Sequence, residues 1–264
     1  MKRVTSLAIV VALGGAGMAE AAIIGTESFT YPDNTSIVGQ AGGSGWDLDG
    51  NGTVSPWQPY NTNQPPVISG QLVTGWGNRD RASRRFGNSD EPNGNYAGYV
   101  QGTGQVYFGV DVLMEAGTQT AGISWVDGGS ERKTFGLVNE TGRFGLANDW
   151  YNTANAEVSN LQVVFGQTYR IVGRVDYTAP DASRVALWVN PTPGSEAAPL
   201  ITGAANAFWM SGVDLYSGGV GDTVSTRWDN LVVATTFAEA VVPEPSSLAL
   251  GALALLGLGR RRRG

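Results

Sequence analysis

The stretch "WDLDGNGTVSPWQ" (Trp46–Gln58) is the sharpest ligand-like motif of the chain. Asp47, Asp49 and Asn51 stand at alternate positions and Gly52 follows. That is the opening of a calcium loop, in which side-chain oxygens converge and the glycine permits the sharp turn. Thr53 offers its main-chain carbonyl at the next ligand position. Gln58 stands at the twelfth position, where such a loop carries a bidentate Glu, and no helical pattern flanks the segment. The same residues also make an ordinary turn built on Asp-Gly and Asn-Gly. Two expectations therefore stand side by side: calcium held by Asp47, Asp49, Asn51 and Thr53, or a plain turn.

Paired acids are the next chemistry to consider. Glycoside hydrolysis requires two carboxylates about 5–5.5 Å apart for retention, or about 6.5–9.5 Å for inversion. Asp111 and Glu115 fall on one face of a strand pattern but lie about 13 Å apart at ~3.3 Å per residue. Asp47 and Asp49 have suitable spacing, on a Gly-rich segment that does not fix their geometry. Histidine and cysteine are both absent. Their absence removes Ser–His and Cys–His nucleophiles, thiolate metal sites and disulfides together. The expectation is a body with no catalytic residues. The runner-up is a glycan-active hydrolase whose acids are distant in sequence, or a lyase relying on Tyr, Arg or Lys133, the body's only lysine.

Aromatic residues give a binding alternative. Trp46, Trp57, Tyr60 and Trp76 lie in the front of the chain, and Trp150 and Tyr151 in "NDWYN". Exposed rings of this kind stack on sugars through their apolar faces, and buried ones fill a core or cover its end. Trp188 and Trp228 sit in strand patterns and read as structural. "NRDRASRRF" (Asn78–Phe86) is a basic patch, expected to be a solvated strand paired with carboxylates, or else a docking surface for acidic polysaccharide.

Net charge narrows the partners. The leader takes two of the 17 basic residues and the tail four, and two of the 23 acidic residues also lie outside the body. That leaves 11 against 21, a body near −10. Such a surface does not attract nucleic acid through bulk electrostatics and suits divalent cations or neutral glycans better.

The elements that must position these residues read as strands. In "TYRIVGRVDY" (Thr168–Tyr177), Tyr169, Ile171, Gly173, Val175 and Tyr177 share a face. Arg170, Arg174 and Asp176 take the other, with Val172 as an apolar exception. "QVYFGVDVLM" places Val106, Phe108, Val110, Val112 and Met114 together, and "SRVALWVN" does the same with Val185, Leu187 and Val189. "TFGLVNETGRFGLAN" reads as a hairpin around Asn139–Gly142. "STRWDNLVVATTF" closes the body as one long strand or two joined by a bend. Between Gly39 and Asn95 the pattern is long loops with short strands. Many short strands with Gly and Asn turns predict an all-β antiparallel sandwich or barrel.

"ESFTYPDNTSIVGQAGGSGW" (Glu27–Trp46), "LWVNPTPG" and "RWDNLVVATTF" (Arg227–Phe237) resemble the laminin-G-like, concanavalin-like jelly-roll domains of bacterial surface proteins. The resemblance spans nearly the whole body and implies a jelly-roll sandwich of two curved sheets. It implies no activity, since this fold carries lectins, hydrolases, lyases and inert modules alike.

Both ends carry export chemistry. Lys2 and Arg3, an apolar run from Leu7 to Ala19, and the small residues Ala19 and Ala21 lay out a secretory signal peptide over residues 1–21. A body of residues 22–240 follows, and a tail of 241–264. In the tail, Pro243, Glu244 and Pro245 make a stiff extended strip. An apolar helix is expected over about residues 246–259, ahead of Arg260, Arg261, Arg262 and Arg263. Ser247–Gly259 spans about 20 Å as a helix against a hydrocarbon core of roughly 30 Å, a marginal anchor. The arginines hold the C-terminus on the cytoplasmic side. The order strip, apolar run, Arg cluster resembles the PEP-CTERM sorting signal of Gram-negative bacteria. It implies transient contact with the inner membrane and processing by a membrane-embedded exosortase near the strip, while the leader implies transient contact with signal peptidase. The reading is a secreted, non-catalytic surface or matrix protein associated with exopolysaccharide, with a purely structural envelope role as a second alternative.

Overall fold

The computed structural model describes residues 23–47, 54–59, 64–75, 81–86, 100–101, 104–127, 130–148, 155–194, 196–205, 209–219 and 225–242. The front holds the short strands β1 (Ile23–Glu27), β2 (Gln58–Pro59), β3 (Val67–Ile68), β4 (Gln71–Thr74) and β5 (Arg81–Arg85). Next come β6 (Val100–Gln101), β7 (Gln105–Met114), β8 (Thr118–Asp127), β9 (Ser130–Val138), β10 (Arg143–Ala147) and β11 (Glu157–Gln162). The last stretch holds β12 (Thr168–Asp176), β13 (Val185–Val189), β14 (Ile201–Gly203), β15 (Trp209–Met210), β16 (Gly212–Gly219) and β17 (Thr226–Ala234), then helix α1 (Phe237–Val241).

Among the described residues fifteen of these strands form two large antiparallel sheets, and β6 and β15 pair in a small third one. Of the two large sheets, one runs β14-β13-β12-β7-β17-β4-β3, with β1 also on β17, and the other β11-β10-β9-β8-β16-β5-β2. The predicted alternation sets their inner faces. Val106, Phe108, Val110, Val112 and Met114 of β7 and Tyr169, Ile171 and Val175 of β12 meet Ile123 and Trp125 of β8 and Phe135 and Leu137 of β9 in one core. Phe108 stands edge-on to Phe135 at 4.7 Å across the sandwich. Gly173 makes that contact possible, because a Cβ there would lie 2.2 Å from the Phe108 ring. The hairpin of β9 and β10 is in the expected register, Val138 opposite Arg143.

Strand β17 serves two partners along one edge. Its first half pairs with β4 and its second half with β1. Between them the register against β7 shifts, between Asp229 and Val232, with Asn230 at φ 50. This bulge is the bend the sequence left open in "STRWDNLVVATTF".

The apolar exception Val172 has a partner. It joins Tyr107, Ala186, Trp188, Phe237, Ala240 and Val241 in a second cluster, on the sheet face turned away from the core. Helix α1 therefore covers part of the eight-stranded sheet from outside. Phe237 packs edge-on to Trp188 at 5.1 Å and to Tyr107 at 5.9 Å.

Candidate functional site

Outward-facing polar residues form a row beside α1. Asp229 of β17 is paired with Asp111 of β7, and Asp111 with Arg170 of β12. The Asp111 carboxylate accepts from Arg170 Nη1 at 3.2 Å and from Asn230 Nδ2 at 2.8 Å. Asp229 Oδ1 accepts the Asn230 backbone N–H at 2.8 Å, a bond the bulge creates. Burial is the main cause that pushes the Asp229 carboxyl up to about 6. The charge on Asp111 adds to it, against the Asn230 N–H, Arg170 and Gln71. Arg170 also donates from Nε and Nη2 to the Ala240 carbonyl, at 3.1 and 2.7 Å, and from Nη1 to the Asn230 carbonyl at 2.7 Å. The row thus joins a cross-strand carboxylate pair to the last turn of α1. Sequence reasoning weighed Asp111 only against Glu115. Those two hold separate ion pairs, Asp111 with Arg170 and Glu115 with Arg227 at 3.4 Å. The partner that matters, Asp229, is remote in sequence, and only strand register reveals it.

At the front, Arg84 and Glu27 form a closed ion pair whose side chains are 0% and 1% exposed. Glu27 also accepts from the Phe29 N–H at 2.9 Å, the Tyr31 hydroxyl at 2.8 Å and Trp57 Nε1 at 3.0 Å. Arg84 donates further to the carbonyls of Ser55 and Gly42, and its guanidinium lies 4.6 Å over Trp46 and 5.5 Å over Trp57. Burial lowers the guanidinium's pKa, and the Glu27 carboxylate opposes that shift. Burial and the same carboxylate push the Tyr31 phenol up. Trp46 and Trp57 are 0% and 1% exposed, stacked among Phe86 and Phe29, and Trp46 Nε1 donates to the Thr26 carbonyl. This corrects their assignment as glycan contacts, because neither ring offers a free face.

The "NRDRASRRF" patch is also corrected. Of its residues, Asn78, Arg79 and Asp80 lie outside the described residues, while Arg81, Arg84 and Arg85 are buried, Arg84 against Glu27 and two indole rings and the other two against Asp214. The expected pairing with carboxylates is present: Arg81 and Arg85 both engage Asp214, the latter at 3.3 Å. A solvated strand or a docking surface would require these guanidinium groups in water. Asp214 belongs to a buried polar row in register across four strands, Ser83, Asp214, Ser124 and Thr134. Ser124 and Thr134 share a hydroxyl hydrogen bond of 2.8 Å. Lys133 is buried and donates to Glu157 at 2.8 Å and Asn148 at 3.0 Å. Trp188 and Trp228 are structural as expected, with indole N–H bonds to Ala197 and Thr74.

Of the calcium candidates, Asp47 is described, while Asp49, Asn51 and Thr53 lie outside the described residues. A backbone bond from Ser55 N–H to the Trp46 carbonyl, 3.0 Å, joins the two ends of that segment. Among the described residues no group of three or more His, Cys, Asp or Glu side chains could hold a metal ion. Tyr60, Trp76, Trp150 and Tyr151 lie outside them too, as do Ala19, Ala21, Pro243, Glu244, Pro245 and Arg260–Arg263. Among the described residues no helix is long and apolar enough to cross a membrane.

The tail is identified by motif. Residues 241–263 match the PEP-CTERM protein-sorting motif, so the chain carries the tail of an exported, exosortase-processed protein. In fold the body is similar to a Trypanosoma rangeli sialidase, at 14% identity over 84% of this chain and 32% of that one, TM-score 0.45. It is also similar to the alginate lyase Aly36B, at 12% identity over 80% of this chain and 96% of that one, TM-score 0.44. The chain spans about a third of the sialidase's length. These are likenesses of fold alone. No curated protein matches the chain in sequence.

Proposed function

We propose that the mature protein is a non-catalytic component of the cell surface or extracellular matrix, delivered by its tail and associated with exopolysaccharide. The match of residues 241–263 to the sorting motif carries the reading. A cell-surface destination brings the body against matrix polysaccharide, and a body near −10 favours neutral glycans over anionic ones. Asp214 supports a non-catalytic body, since it is fully buried and held by the guanidinium groups of Arg81 and Arg85. The test is retention of the purified mature protein on the host's own exopolysaccharide, with calcium and with chelator. Retention is the expected result, and loss under chelator makes Asp47→Ala the next variant. No retention in either condition contradicts glycan association and leaves a structural envelope role.

One observation favours an enzymatic alternative, a glycan hydrolase using Asp111 and Asp229. Residues directly opposite across an antiparallel pair place their Cβ atoms about 4.5–5.5 Å apart, the scale of a retaining pair. A carboxyl pushed up to about 6 suits a proton donor. Release of reducing ends from the same polysaccharide, abolished by Asp229→Asn, would establish it.

A further inference from the structure

Helix α1 sits where folded body and sorting tail meet. The sorting motif begins at Val241, which is also the last residue of α1 and only 2% exposed, while Val242 is 46% exposed. Pro243 follows Val241 by two residues, at most about 7 Å of extended chain. A protease that takes its substrate as an extended strand on both sides of the cut has almost no free chain ahead of the strip. It must take up residues of α1.

The sheet surface is built to hold those residues. Gly109, in the middle of β7, leaves room for the helix end, because a Cβ there would lie 2.0 Å from the Ala240 carbonyl oxygen. Glycine inside a strand marks such close backbone approach. Arg170 caps that same carbonyl with two donors, satisfying an acceptor that a helix end leaves open. Phe237, Ala240 and Val241 are buried against Tyr107, Val172, Ala186 and Trp188. At the other end, Thr236 and Glu239 share a side-chain bond of 3.0 Å across the first turn.

We propose that α1 is a latch: its docking surface on β7, β12 and β13 competes with the exosortase for residues 237–242, so that undocking limits tail processing. The latch acts on access to the strip and leaves the cleavage chemistry to the protease. It rests on the sorting reading and goes one step beyond it.

The test follows loss of the tail from the full-length chain in a Gram-negative host that carries an exosortase. Compared are the wild type, Gly109→Ala, Phe237→Ala, and the wild type with a ten-residue Gly-Ser spacer between Val242 and Pro243. Limited proteolysis within residues 237–242 reports undocking in each variant. Phe237→Ala lies outside the main core and stands in if Gly109→Ala does not fold. The expected result is processing roughly tenfold faster in the undocked variants, as a larger open population requires, with the spacer raising the wild type to the same rate. Equal rates for wild type, undocked and spacer proteins would overturn the latch and leave the sorting reading intact. Absence of processing in all of them, the spacer variant included, would overturn the sorting reading and the latch with it.

Discussion

Arg84 and Arg170 are both buried against a carboxylate, and they are wired to opposite ends. Arg84 spends its donors inside the front of the sandwich, on Glu27, Ser55 and Gly42, between two indole rings. It ties Gly42 and Ser55 onto β5. Arg170 gives one part of its fork to the sheet, through Asp111 and Asn230, and the other to the carbonyl of Ala240 in α1. Its neighbourhood also holds a second carboxylate, Asp229, with a raised pKa. The first cluster is a lock whose partners are all within the body. The second is a joint between the body and an end that another protein must handle. Removing Arg84 strands a carboxylate that is 1% exposed and removing Arg170 one that is 17% exposed, so the first loss costs more.

The largest effect is expected at the lock. Arg84→Ala leaves Glu27 buried without its cation and should cost about 3–5 kcal/mol in denaturant unfolding. A loss below about 1 kcal/mol, the scale of an exposed pair, would place this cluster on a level with a surface bridge. Arg170→Ala should cost less, about 1.5–3 kcal/mol as loss of charged hydrogen bonds. Its signature is local: amide exchange quickens at residues 237–241 while the inner strands β8 and β9 keep their protection. Uniform loss across the molecule would erase the distinction between lock and joint.

Asp229 sharpens the comparison through pH. Its folded pKa, about 6, stands above the ordinary 3.8, so the folded state binds the proton more tightly than the unfolded chain. The stabilisation is therefore fully present below about pH 4 and lost as pH rises through about 6. Solvent screening of this half-buried group holds the effect to about 1 kcal/mol. Asp229→Asn should flatten stability between those pH values and stabilise the protein at pH 8, where it removes a half-buried charge and, secondarily, its repulsion with Asp111. An unchanged pH profile would show that the folded protein does not raise the Asp229 carboxyl above its ordinary value. Trp57→Phe removes the indole bond to the buried Glu27 carboxylate and should cost about 1.5–3 kcal/mol, as a charged hydrogen bond does, while leaving glycan retention untouched. Lost retention without lost stability would return Trp57 to the binding residues.

What was legible in the sequence follows how local each signal is. Period-2 alternation in "QVYFGVDVLM" and "TYRIVGRVDY" depends on neighbours in the chain, and β7 and β12 lie on those residues with the expected faces inward. Opposition of Asp111 and Asp229 depends on register between strands far apart in the chain, which composition does not encode. A tryptophan's fate is likewise set by what arrives from elsewhere: Trp46 and Trp57 are closed in by Phe29, Phe86 and Arg84. Helix α1, five residues long, is too short for a 3.6 period to register. Two local signals did point to it, Val172 on the polar face of its strand and Gly109 within an apolar one. Each asks for something packed on the outside of the sheet.

Tail processing remains the central claim, and the mass of the mature chain tests it most directly. Intact mass spectrometry of the protein recovered from a host with an exosortase should show a chain that ends near Pro243–Pro245 and lacks Arg260–Arg263. The same host without the exosortase should yield a chain that keeps them. A mature protein that retains the four arginines in the presence of the exosortase would contradict the account.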